Sequence, residues 1–185
     1  MPAARAPRSA RVATRTGDTG DTSLFGKGRV RKSDPRIEAL GDLDEAQAVI
    51  GVARSMGPRS KLGRVLLDAQ KGLYLAMAEV ATAEAERDRL KERLDGASVG
   101  DLERVLEAVK KTTPIEGRFV IPGENPISAT LDQARTVVRR AERHVVECVD
   151  AGYFPGEDLL PWLNRLSDVL FVLARSAERG ARRGR

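Results

Sequence analysis

Of 185 residues, one is cysteine and one is histidine. A lone thiol, Cys148, excludes an internal disulfide framework and cannot by itself build a thiolate zinc site. With His144 as the single imidazole, multi-histidine metal centres and histidine-rich catalysis are excluded as well. Aromatic residues make up only 4% of the chain, which disfavours a β-sandwich and favours a helical fold rich in Ala, Leu, Val, Arg and Glu. No apolar run approaches the roughly 20 residues of a bilayer span, and no apolar segment of secretory type follows Met1. These features predict a cytoplasmic protein that does not enter a membrane.

Charge is abundant but unevenly placed. The formal net charge of +5 combines 32 Lys/Arg with 27 Asp/Glu. Residues 1–32 hold eight basic side chains against Asp18 and Asp21, and residues 171–185 hold five Arg against Glu178. The stretch between them is therefore acidic, with 19 basic and 24 acidic residues. Basic tails around an acidic middle argue against a nucleic-acid-binding surface. A helical interaction protein with tails for acidic partners is the reading this distribution leaves open.

Residues 1–13 read as a disordered arm, residues 14–179 as one domain, and residues 180–185 as a disordered basic tail. Within the domain, Thr14–Lys32 is dense in Gly, Thr and Asp and has no helical period, so it is either an ordered loop or a disordered leader. Five amphipathic helices follow. The first starts at Ser33-Asp34-Pro35, where a capping side chain precedes proline, and runs to about Met56. The second runs from near Ser60 through the charged stretch up to Gly96. The third goes from about Ser98 to just before Pro114, the fourth from Ser128 to Ala151, and the fifth from Asp158 to Arg179. This is the pattern of an all-α five-helix bundle.

Two regions could carry chemistry. On the fourth helix Asp132, Arg135, Arg139 and Glu142 are spaced 3, 4 and 3 and line one face, while Asn164, Asp168, Phe171 and Arg175 are similarly spaced on the fifth. Such faces are either solvated and laced with ion pairs, or an anion site in which carboxylates hold arginine forks ready for phosphate. The loop Thr14-Arg15-Thr16-Gly17-Asp18-Thr19-Gly20 offers hydroxyls and backbone amides that could cradle phosphate. It is not a Walker A loop. Lys32, just before the first helix, is a further basic residue beside it.

In order, the blocks Thr14–Gly20, Leu24-Phe25-Gly26, Arg29–Lys32, Asp34–Ala39 and Gly41–Glu45 lead to Phe119–Gly123, Ala134–Arg143 and Leu163–Arg175. Together they resemble the PduO-type ATP:cob(I)alamin adenosyltransferases over residues 12–177. The resemblance implies a homotrimer with active sites between subunits, moving the 5′-deoxyadenosyl group of ATP to the cobalt of reduced cobalamin and releasing triphosphate, with Mg²⁺ assisting. It implies that Thr14, Arg15, Thr16, Gly17, Asp18 and Gly20 wrap the polyphosphate, which Lys32 contacts. Arg135, Arg139, Glu142 and Asn164 would complete the nucleotide site. Asp44 would pair with Arg135 on the corrinoid side, Phe119 would press on the lower face of cobalt, and Phe171 would contact the corrinoid. Partners implied are a flavoprotein reductase and an adenosylcobalamin-dependent enzyme. A non-catalytic corrinoid or nucleotide carrier on the same bundle is the alternative. The chain departs from the family pattern at Ala46-Gln47, where Leu-Asn is usual, at Leu40 and Asp42, where an aromatic and Thr are common, and at Glu124-Asn125-Pro126, which replaces a Gly-rich turn. The added carboxylates Asp42 and Glu124 are expected beside the corrinoid pocket.

Overall fold

The computed structural model describes residues 13, 15–26, 28–57, 59–115, 117 and 119–183, without the side chains of residues 84 and 180–183. Five helices make up most of it: α1 (Pro35–Ser55), α2 (Lys61–Val80), α3 (Gly96–Lys110), α4 (Pro126–Asp150) and α5 (Leu159–Arg183). Ahead of them, β1 (Asp21–Thr22) and β2 (Val30–Arg31) pair antiparallel, with Asp21 opposite Arg31.

Local chemistry sets the helix starts. Asp34 caps α1, its carboxylate accepting from the Arg36 backbone amide at 3.0 Å, with Pro35 in the first turn. The Arg36 side chain also donates to this carboxylate and holds it below the usual carboxylate range. Ser60 caps α2 through Gly63 N at 2.9 Å. Asp95 and Ser98 form a reciprocal capping box at α3, and Asn125 and Ser128 form another at α4.

α4 sits between α1 and α5, α2 lies on α1, and α3 packs on α5. The core they share is aliphatic: Leu43, Ile50, Leu66, Leu131, Leu163 and Leu170 are fully buried. Where α2 meets α5, Gly72 lies under the Trp162 indole so closely that an added Cβ would come within 2.1 Å of the ring. A methyl there would force the helices apart.

Three expectations are corrected. The second helix stops at Val80 rather than Gly96. Glu79, 4% exposed, accepts from Leu94 N at 2.9 Å and from Arg87 at 3.2 Å, folding the charged stretch back as a 3₁₀ turn (Glu84–Arg89) and an irregular segment. The fourth helix begins two residues earlier than expected, because Asn125 is its cap and Pro126 its first residue. The fifth extends to Arg183 and so takes in most of the tail expected to be disordered. Residues 1–12 and 184–185 lie outside the described residues.

Candidate active site on the α4–α5 face

The spacing on α4 does bring its polar residues to one face, and α5 turns them into a network between helices. Asp132 is 3% exposed and accepts from Arg175 of α5, itself 7% exposed, which also donates to Glu178 at 2.7 Å. Arg135 Nε lies 3.5 Å from the other oxygen of Asp132. The Phe171 ring stands between two guanidinium groups, its centroid 5.2 Å from that of Arg175 and 6.0 Å from that of Arg135. One turn further along α4, Arg139 is exposed, and its guanidinium has no hydrogen bond or ion pair among the described residues. Another turn on, Glu142 accepts from the Asn164 amide at 3.2 Å, tying α4 to α5. Asp168 pairs with Arg165 on its own helix at 3.0 Å.

This face is graded. It runs from a buried, ion-paired end at Asp132 and Arg175 to an open end at Arg139, where a charged donor fork is available to an anion. Among the described residues the Arg175–Asp132 ion pair and the Asn164–Glu142 hydrogen bond cross between the helices and make it more than a solvated surface.

The N-terminal loop forms a second group. Arg15 adopts a left-handed backbone with φ 59°, and the chain then turns tightly, Gly20 N donating to Gly17 O at 3.1 Å. The alternation Arg29-Val30-Arg31 puts two guanidinium groups on one side of β2. Arg29 donates to the carbonyls of Thr16 and Asp21, and Arg31 donates to Thr19 O and Asp21 Oδ1, both at 3.0 Å. Lys32 lies over Gly17, where an added Cβ would meet its Nζ at 3.2 Å. Gly17, Gly20 and Lys32 therefore do converge, while Thr14 lies outside the described residues. Arg29 and Arg31 carry no site role in the sequence reading. Their i, i+2 spacing across Val30, with Arg29 just ahead of β2, was the available signal.

Among the described residues no hydrogen bond or ion pair joins the loop group to the α4–α5 face. Asp44 is exposed on α1 and does not pair with Arg135 within the chain, whose described carboxylate neighbour is Asp132. Phe119 is fully exposed, and Ile121 is 91% exposed, on the segment between α3 and α4. As for Mg²⁺, Asp21 is paired with Arg31 and Glu142 is engaged by Asn164, leaving Asp18 alone. Within these two groups, no set of carboxylates converges as a protein-oxygen cage for the ion.

The departures from the family pattern have structural partners. Gln47 and Gln70 exchange hydrogen bonds between α1 and α2, each side-chain amide donating to the other's backbone carbonyl at 2.9 and 3.0 Å. Asp42 faces α4, accepting from Arg140 Nε at 3.0 Å and meeting His144 Nδ1 at 2.7 Å. A cavity of about 450 Å³ opens between α2, α3 and α5, lined by Leu62, Val65, Val105, Val109 and Leu173, and none of the expected site residues lines it.

A family model described as cobalamin adenosyltransferase matches residues 12–177. The corrinoid adenosyltransferase of Mycobacterium tuberculosis (strain H37Rv) is 43% identical over 171 residues, covering 90% of this chain and 88% of that protein. A corrinoid adenosyltransferase of Citrobacter freundii is 37% identical over 169 residues, covering 91% and 95%. Among solved structures, a phenylalanine-to-histidine variant of a PduO-type ATP:corrinoid adenosyltransferase from Lactobacillus reuteri, complexed with cobalamin and ATP, superimposes with a TM-score of 0.83 at 30% identity over 93% of each chain. With sequence and fold agreeing over nearly its whole length, the chain belongs to the cobalamin adenosyltransferase family of enzymes.

Proposed function

We propose that this chain transfers the 5′-deoxyadenosyl group of ATP to the cobalt of a reduced corrinoid, in a site that two neighbouring subunits of a homotrimer complete. Co(I) attacks the C5′ carbon, a Co–C bond forms as the C5′–O bond breaks, and triphosphate leaves with the electron pair while cobalt becomes formally Co(III). Because the nucleophile is the substrate's own metal, no side-chain nucleophile or general base is required. That suits a chain with one histidine and a buried cysteine.

The protein's task is to hold the leaving group and exclude water. The observation that carries the reading is Arg139: a guanidinium unpaired among the described residues, at the open end of a face whose neighbouring charges Asp132, Arg175 and Glu142 are engaged between the helices. It would take the polyphosphate together with Lys32, Arg15, Thr14, Thr16, Asp18 and the loop glycines of a neighbouring subunit. That no hydrogen bond or ion pair joins the described loop residues to Arg139 within one chain supports a site at a subunit boundary. Arg135, steadied by Asp132 and Phe171, would pair with Asp44 of the adjacent chain. The exposed Phe119 would fill the space below the corrinoid ring and keep an axial ligand off cobalt, with Phe171 nearby. Mg²⁺ would arrive on the nucleotide's own phosphates. A flavoprotein reductase would supply Co(I), and an enzyme dependent on adenosylcobalamin would consume the product. The test is anaerobic: ATP added to the protein and chemically reduced cobalamin should bleach the Co(I) absorbance. Binding of cobalamin without bleaching would favour a carrier.

A further inference from the structure

The contact between α1 and α4 holds a cluster that the adenosyl-transfer reading does not use. Glu38 and Asp42 are four residues apart on α1, so they share one face, and His144 approaches them from α4. Suitable ligand atoms of the three lie within 4.8 Å of one another. Asp42 is 6% exposed, His144 is partly buried and Glu38 is at the surface, so the group opens to solvent on one side.

The partners already present leave ligand capacity. Arg140 Nε donates to Asp42 Oδ1, which leaves Oδ2 facing His144 Nδ1 at 2.7 Å. The Glu38 carboxylate makes no hydrogen bond or ion pair among the described residues. Arg140 also contacts Glu45. A metal-bound imidazole is neutral, so three carboxylates against one guanidinium would leave a local charge of −2, which a divalent cation balances. One imidazole and two carboxylates suit a borderline ion of the Zn²⁺ class better than Mg²⁺ or Ca²⁺, which take oxygen ligands.

The geometry points to a divalent transition-metal site at Glu38, Asp42 and His144, with water completing the coordination. An ion about 2.1 Å from each donor holds the donors roughly 3–3.4 Å apart, so the His144 ring would draw back from Asp42 by several tenths of an ångström and the exposed Glu38 side chain would close in, the ion replacing the Asp42–His144 hydrogen bond. The site would clamp α1, which carries Asp44, to α4, which carries Arg135 and Arg139. It is independent of the transfer reaction and stands whether or not that reaction is confirmed.

The test is a calorimetric titration of the full chain, stripped with chelator, with Zn²⁺ alone, and a parallel titration with Co²⁺ followed by its visible absorption. One equivalent per chain is expected. Glu38→Gln and His144→Ala should each weaken binding at least about tenfold, and Zn²⁺ should raise the melting temperature of the wild type but not of either variant. Glu38 is exposed, so Glu38→Gln keeps the fold and the test remains decisive even if His144→Ala unfolds. Absence of stoichiometric binding overturns the assignment. So does Glu38→Gln binding Zn²⁺ as tightly as the wild type.

Discussion

Arg175 on α5 donates to Asp132 on α4 where both are more than nine-tenths buried, and the far oxygen of Asp132 lies 3.5 Å from Arg135 Nε. An arginine of the candidate site is thus positioned from beneath by an ion pair it does not itself make. Removing one member strands a buried charge, so Arg175→Met or Asp132→Ala should each cost about 3–5 kcal/mol, read by chemical denaturation. The double variant Asp132→Leu/Arg175→Met should recover a large part of that loss. A loss in the double variant equal to the sum of the two single losses would show that the two side chains do not act as a pair.

Arg139 has no such anchor. Arg139→Ala should leave stability within about 0.5 kcal/mol of wild type and lower turnover by roughly 10²–10³, the scale of losing a preorganised donor to a developing anion. Wild-type turnover in a folded variant would remove Arg139 from the phosphate site.

Phe119 is fully solvent-exposed, so Phe119→Ala should not change the melting temperature. If the ring works by keeping an axial ligand off cobalt, the variant should lose more activity when assayed from cob(II)alamin with a reductant than from cobalamin already at Co(I). Equal losses in the two assays would assign the ring to binding alone.

Two groups give stability a pH dependence of known sign. Asp34 titrates below the usual carboxylate range because Arg36 donates to it. Its contribution is therefore present above about pH 4 and lost as pH falls through the lowered value. Burial pushes the Cys148 thiol up to about 11, so its contribution is full below about pH 8.5 and is lost as pH rises toward 11. Asp34→Ala should cost about 1 kcal/mol at neutral pH through the lost cap, and less at pH 3. Cys148 should resist a disulfide reagent at pH 8 until the protein unfolds. Fast modification of the native protein would contradict its burial.

The helices were legible in the sequence because their signals are local. Asp34-Pro35 begins α1 and Gly57 follows its end, and the apolar spacing on α4 and α5 gives their inward faces. What failed was decided by contacts distant in sequence. Nothing near Glu79 announces that it will accept from Leu94, yet that bond is what keeps the charged stretch from continuing α2. Asn125-Pro126 was a readable helix start hidden in a segment dense with proline and glycine. For the site, the 3, 4, 3 spacing exposed the α4 face, but its support by Arg175 crosses 43 residues and is invisible to periodicity. Asp42 meets Arg140 and His144 on α4, 98 and 102 residues away in the chain, and periodicity shows neither partner.

The central claim is best tested by product stoichiometry. Under anaerobic conditions, with ATP, Mg²⁺ and pre-reduced cobalamin, the account predicts one triphosphate released per light-labile adenosylcobalamin formed. Corrinoid and ATP both bound, with no Co–C bond formed and ATP recovered intact, would contradict it and leave a carrier built on the same bundle.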